Sequence, residues 1–394
     1  DGNYIAYVTN QLGKYKVFLY DTRTEKKKKL EKGGHKIEQI TDYSYPVLTW
    51  HPSSRILAWV EEVEGNLRLT YYDLDLDEYS TRLFILYEKI LDFDYSHDGL
   101  KFVISGIVNG QTDLFVHDIA SANNERITND IADDLKPRFA DNSKKIVFHS
   151  NRRSDTLSVQ TSPESITNHF SVFIYDYENR SNNLRRISDG KFNENTQAFP
   201  YKNNQFLYLS NKSGIVNRYL ARYDSAISFI DTTVHYRYFS RTFPISNYKR
   251  NILEHHYEPE SGLYSEIIYY DGEYNIYSGD IEPVRNYSEE ITQTPYRENL
   301  TKDLTEKDSL DNVVKQTIPM SEVVNNNIIL GEDTINLDFT GIDVNNYVFE
   351  REKLNYYNQR LSKKNLNLVI DTMKEEPRRL RYIDYETSFY PNYL

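Results

Sequence analysis

The sequence predicts an all-β fold: a β-propeller of about six visible four-stranded blades, the first incomplete, followed by an irregular C-terminal extension. One phrase recurs six times in the first 254 residues, a turn rich in Asp, Gly, Asn or Ser and then three mostly apolar residues opening a strand. The copies are Ile5-Ala6-Tyr7, Leu57-Ala58-Trp59, Phe102-Val103-Ile104, Ile146-Val147-Phe148, Phe206-Leu207-Tyr208 and Ile252-Leu253-Glu254. Their spacings of 52, 45, 44, 60 and 46 residues are near the length of one blade, a unit that can bury its faces only against its neighbours. Tyr (35) and Phe (18) are abundant among the 394 residues, and aromatic side chains suit a pleated, half-buried surface.

The first repeat opens at Asp1-Gly2-Asn3-Tyr4, in the turn before its second strand. Its inner strand is therefore expected upstream of Asp1 or from elsewhere in the chain, because an open ring leaves an exposed edge. The second repeat reads as Pro46–Pro52, Ile56–Val60 and Leu67–Asp73. In the third, Ile90–Tyr95 is the inner strand and Ser96-His97-Asp98-Gly99 the turn, followed by strands over Lys101–Gly106, Asp113–Asp118 and Asn124–Thr128. Asn109-Gly110 marks its tight hairpin. The fourth repeat gives Pro137–Phe139, Ile146–Ser150, Val172–Asp176 and Leu184–Ser188, and the fifth Phe199-Pro200, Phe206–Ser210 and Arg218–Asp224. For the weakest copy, the sixth, the reading places Phe243-Pro244 at the inner strand, Asn251–Leu253 in the second and Glu266–Tyr270 in the third.

Periodicity ends near Glu282, which divides the chain into a propeller over residues 1–281 and an extension over 282–394. Residues 282–321 are polar and charged. Beyond them, Asn327–Leu330 and Thr334–Phe339 read as short strands and Glu350–Leu361 as a short helix.

Composition narrows the function. The formal net charge of −12 gives no general attraction to phosphate backbones, so nucleic acid is not an expected partner. The absence of cysteine excludes disulfides and thiolate metal sites. No apolar run reaches the roughly 18 residues that a membrane-spanning helix needs.

The phrases DGNYIAYVTN (1–10), SHDGLKFVISGIVNGQTDLFVHDI (96–119) and PRFADNSKKIVFHSNR (137–152) resemble the repeats of TolB-type β-propellers. They are most like those of large bacterial envelope proteins, in which such a propeller sits between a metallopeptidase-like domain and an outer-membrane barrel. IDVNNYVFE (342–350) and RRLRYIDYETSFYPNYL (378–394) look like the linker that leads into that barrel. The resemblance implies a scaffold on the periplasmic side of the outer membrane, with the cell-surface side also open. Its partners would be other envelope proteins in an assembly or transport machine. An accessory role, gating or orienting a peptidase domain outside this stretch, is the alternative. The metallopeptidase signature HExxH and the hydrolase elbow GxSxG are both missing from the sequence, so no catalytic residue and no cofactor are assigned.

Four features remain as candidate sites. Glu254-His255-His256-Tyr257-Glu258 has metal-ligating residue types, but adjacent strand residues point to opposite faces. Asp73, Asp75 and Asp77 alternate with leucines and would put three carboxylates on one side of an extended segment, without the glycine a calcium loop uses. Lys26 to Lys29 would guard the edge of blade one's outer strand, with contact to anionic lipid as the competing reading. The fourth interval carries about 15 residues more than its neighbours, between the second and third strands. That insert supplies the candidate partner-binding loop: Arg152, Arg153, Asp155, Thr156, Ser162, Glu164, Asn168 and His169.

Overall fold

The computed structural model describes residues 2–11, 14–34, 44–157, 162–188, 193–230, 234–281 and 291–302. They form six antiparallel meander sheets, one per blade. Blade one holds β1 (Tyr4–Gln11), β2 (Lys14–Asp21) and β3 (Lys26–Gly34); blade two holds β4 (Val47–Trp50), β5 (Ile56–Val63), β6 (Asn66–Asp73) and β7 (Glu78–Phe84). Blade three holds β8 (Lys89–Tyr95), β9 (Lys101–Val108), β10 (Gln111–Asp118) and β11 (Asn124–Arg126); blade four holds β12 (Asp134–Ala140), β13 (Lys145–Arg152), β14 (Ile166–Asp176) and β15 (Arg185–Arg186). Blade five holds β16 (Asn195–Lys202), β17 (Gln205–Ser210), β18 (Asn217–Ile230) and β19 (Val234–Pro244), and blade six β20 (Ile252–Tyr257), β21 (Leu263–Tyr270) and β22 (Glu273–Asp280). A helix, α1, spans 295–302.

The recurring apolar phrase is the second strand of each complete blade. Such a strand has a neighbouring blade on both faces, so it reads as a continuous apolar run and not as an alternating one. Leu57, Ala58, Trp59 and Val60 on β5 are fully buried, as are Phe102, Val103 and Ile104 on β9 and Ile146, Val147 and Phe148 on β13. Each large side chain removed from water in this way contributes about 1.5–3 kcal/mol.

Packing is carried by clusters between adjacent blades. Val17 and Leu19 of blade one meet Leu57 and Trp59 of blade two, and Ala58 and Leu69 of blade two meet Phe93 and Phe102 of blade three. Val103 and Leu114 then join Phe148 and Phe173, Val147 and Ile174 join Tyr208 and Tyr219, and Phe199 and Leu207 join Tyr257. The inner strands β4, β8, β12, β16 and β20 lie next to one another in that order.

Blade one has three strands and lacks an inner one among the described residues, as its opening phrase predicts. Blades five and six depart from expectation. Ile252–Glu254 lies in the inner strand of blade six, and that blade's second strand is β21, so Glu266–Tyr270 is not a third strand. Phe243-Pro244 ends β19, which pairs along β18 as far as Ile230 and Val234, so blade five ends in a hairpin far longer than the expected strand over Arg218–Asp224. The true turn of blade six is Glu258–Gly262, where Gly262 has φ +75°. Apolar Ile252 after Asn251 imitates the turn-then-strand phrase one strand too early.

Of the extension, 291–302 is described. Its helix is not the one expected over Glu350–Leu361, which lies outside the described residues together with both expected strands. Segment 291–302 is tied to blade five: Thr294 N–H donates to Ser213 O at 2.9 Å, Arg297 Nε to Lys212 O at 3.1 Å, and Asn247 Nδ2 to Thr292 Oγ1 at 3.1 Å.

Candidate functional site at the channel mouth

Four successive inner strands each carry a register shift against their second strand. The shifts fall between Ile90 and Asp92 in β8, Leu135 and Arg138 in β12, Thr196 and Phe199 in β16, and Ile252 and Glu254 in β20. Lys136 and Gln197, within two of these shifts, have φ of 50° and 52°. Non-glycine residues held there cost on the order of 1–3 kcal/mol each and gather at functional places. A bulge twists its strand and re-aims side chains, and these four accompany the polar residues that line the channel.

The charges there are paired across blades. Asp92 of blade three lies 3.0 Å from Arg138 Nη2 and 3.6 Å from Lys136 Nζ of blade four. Burial opposes the Asp92 charge, but the two cations outweigh it and hold its carboxyl below the usual range. Asp94 accepts from Phe139 N–H at 3.1 Å and from Thr49 Oγ1 at 3.4 Å, which links blades two, three and four. Its carboxyl is pushed up to about 6, chiefly by burial and further by the Asp92 charge, against the pull of Arg138. The Arg138 guanidinium also lies 5.0 Å from the centre of the Phe199 ring, which fixes its plane.

Blades four, five and six meet through neutral imidazoles. His149 Nδ1 accepts from Gln197 N–H at 3.3 Å, and burial lowers this histidine to about 3. His255 accepts from Arg218 Nε at 3.2 Å through Nδ1 and donates from Nε2 to Gln197 O at 2.6 Å, an arrangement that assigns its tautomer. Arg218 in turn is 2.7 Å from Glu266. His256 points the other way, opens onto the channel and is lowered to about 4 by its enclosure and then by Arg138. The two histidines thus take opposite faces, and among the described residues no group of three or more acidic or imidazole side chains could hold a metal ion.

Where the inner strands turn outward, the channel widens into a recess of about 610 Å³. Asp94, Arg138, Phe139, Phe199 and His256 are among its lining residues. Turns from five blades surround it: the partly exposed His51, Pro52 and Ser54 of blade two, and the exposed His97, Asp141, Asn142, Lys202, Asn203 and Glu260 of blades three to six. Mixed charge over aromatic walls can hold a polypeptide segment by hydrogen bonds and ring contacts together. Reading strands for apolar phrases misses this site. The available signal was the presence of acids and bases, Asp92, Asp94, Lys136, Arg138 and His256, inside strands that are otherwise apolar.

The insert runs from the end of β13 through the connection into the start of β14, so Asn168 and His169 lie on that strand. Arg152 does not belong to its surface. The residue ends β13 with 3% of its side chain exposed, and its guanidinium bridges Asp130 at 2.8 Å and Asp134 at 2.6 Å. The other seven residues of the candidate loop are exposed or partly so. Asp155 pairs with Arg186 at 2.8 Å, Thr156 forms a β-bridge with Asn183, and Ser162 caps the turn Pro163–Ser165 by accepting from Glu164 N–H. His169 lies 3.1 Å from Glu194, and Arg153 and Asn168 face solvent.

The three aspartates are not on one side of an extended segment. Asp73 ends β6 and Asp75 and Asp77 lie in the turn to β7, where Arg55 holds Asp73 at 3.1 Å and Asp75 at 3.0 Å, and Lys28 holds Asp77 at 2.7 Å. Lys26 to Lys29 lie on β3, the outer strand of blade one.

No family model matches the chain, and no curated protein does. Among solved structures, TolB from Acinetobacter baumannii is 14% identical, with 71% of this chain and 61% of that chain covered and a TM-score of 0.49. The putative TolB from Agrobacterium tumefaciens is 13% identical over 69% of this chain and 86% of that chain, also at 0.49. The β-propeller domain of the Trilobed protease from Pyrococcus furiosus is 13% identical over 73% and 94%, at 0.44. These neighbours are TolB proteins and another propeller, the kind of protein that the repeat phrases resemble, and the number of blades rests on this chain's own six sheets.

Proposed function

We propose that this protein is a non-catalytic protein-interaction scaffold of the bacterial cell envelope and works within an outer-membrane-associated assembly. The observation that carries the reading is the recess at the channel mouth, about 610 Å³ in volume and ringed by turns of five blades. The frame beneath it is firm, because inter-blade clusters hold the second strands of blades two to five on both faces. The floor offers fixed dipoles, paired charges and the Phe139 and Phe199 rings, and the rim offers exposed polar groups on turns of the scaffold, where binding residues concentrate. The insert residues Arg153, Asp155, Thr156, Ser162, Glu164, Asn168 and His169 give a second contact away from the recess, at the other end of β13 where it leads into β14. The envelope setting is supported by the likeness of the repeat phrases to TolB-type propellers. Affinity purification from solubilised membranes tests the proposal. A stoichiometric envelope protein that is lost when Lys202 and His97 are both changed to Glu supports it; recovery of the chain alone from both membrane and soluble fractions refutes it.

A further inference from the structure

Five of the six junctions around the ring hold an apolar cluster, and the junction between blades six and one holds none among the described residues. Both faces at that junction are apolar and partly open. On β21, Glu266 meets Arg218 of blade five, so Ile267 and Tyr269 turn the other way, together with Leu263, which lies against Gly2 of blade one. Their cross-strand partners on β22 are Ile276 and Tyr274. Tyr269 is 48% exposed, Tyr274 73% and Ile276 39%. In blade one, Val17 and Leu19 are buried toward blade two, so Phe18 and Tyr20 face the seam, with Tyr7 and Ile5 paired opposite them. All four are only partly buried, whereas second strands elsewhere in the ring are closed on both faces.

The outer part of the seam is cationic. Lys29 pairs with Phe18 in register, Lys27 with Tyr20 and Lys32 with Lys16, so four lysines share the seam face of blade one. Lys27 Nζ stands 4.0 Å from the Phe18 ring centroid. Lys28 has the opposite orientation and is held by Asp77 of blade two.

We infer that the seam between blades six and one is a docking groove for an extended acidic segment of a separate polypeptide, with apolar residues at alternate positions. Its apolar side covers Ile267, Tyr269, Tyr274 and Ile276, and its carboxylates meet Lys16, Lys27, Lys29 and Lys32. Charge complementarity selects this occupant, since a basic segment of equal apolarity would set like charges side by side. The groove is separate from the channel mouth and does not depend on that site's role.

The test uses the full chain and two synthetic nine-residue peptides, one alternating valine with glutamate and the other valine with lysine. The glutamate peptide is expected to bind at least tenfold more tightly at low salt, to shield Tyr269 and Tyr274 from nitration, and to give carbodiimide cross-links at Lys27 or Lys29. Lys27→Glu combined with Lys29→Glu should reverse the preference, and Tyr274→Ser with Ile276→Ser should abolish binding. All four positions are exposed, and an unchanged circular dichroism melt shows that the variants stay folded. Equal binding of the two peptides, or no binding of either, overturns the inference. So does resistance of Tyr269 and Tyr274 to nitration in the full chain alone, which would mean that the seam is already filled from within.

Discussion

Replacing Arg152 with Met gives the sharpest test of how the ring is held together. The guanidinium lies between Asp130 and Asp134, whose side chains are 6% and 0% exposed, and Met keeps most of the volume while removing the charge. Breaking a buried ion pair by deleting one partner costs about 3–5 kcal/mol, because the remaining charge stays in a site with little water. At roughly 2 °C per kcal/mol for a chain of this size, the thermal midpoint should fall by about 6–10 °C. The pH dependence has a definite sign. Burial already holds Asp134 above the usual carboxylate range, and Arg152 is the main force restraining it. Without Arg152 the native state binds protons more readily than the unfolded chain, so stability rises as pH falls through the folded pKa and the deficit narrows between pH 8 and 5. Adding Asp130→Asn and Asp134→Asn should recover much of the loss. Urea and thermal unfolding across that pH range measure all three effects. A loss under about 1 kcal/mol at pH 8, or a deficit that widens as the solution is acidified, would refute the reasoning.

Three other outcomes are expected. Asp94→Asn should stabilise the protein at pH 8 and change little at pH 4.5, because burial raises the Asp94 carboxyl to about 6 and its charged form is the disfavoured one; urea midpoints at the two pH values decide this. Gly214→Ala should release segment 291–302, since Gly214 has φ +90° and a Cβ there would overlap Thr294 Oγ1; faster amide exchange over 291–302 with blades one to four unchanged is the expected readout. Trp59→Ala should cost about 3–5 kcal/mol, because Trp59 is fully buried between blades one and two, and an equilibrium unfolding curve would show it.

Blades two to five were readable from sequence because burial on both faces turns a second strand into an unbroken apolar run, as in Ile146-Val147-Phe148. The same rule misplaced blade six. There the second strand β21 opens with Leu263-Tyr264-Ser265-Glu266 and its apolar run comes only at Ile267–Tyr270, while the inner strand is entered through Asn251-Ile252-Leu253 and so looks like the familiar phrase. The long hairpin β18–β19 was hidden because Phe243-Pro244 resembles Phe199-Pro200 at an inner strand. The channel depended on information that residue spacing does not carry: Asp92 and Arg138 are 46 residues apart, and only the register shifts in β8 and β12 and the ring order make them partners. Arg152 shows the converse. Its place at the start of an insert suggested an exposed loop residue, but the buried acids that claim it come from the stretch before β12 and from that strand's first residue.

The central claim is that the channel mouth is where a partner polypeptide is held. Site-specific photo-crosslinking in intact cells tests it most directly, with the reactive side chain placed in turn at Lys202 on the mouth and at Ser80, an exposed residue on β7, the outer strand of blade two. The account predicts one discrete high-mass adduct to an envelope protein from position 202 and none from position 80. No adduct from position 202, or the same adduct from both positions, would contradict it.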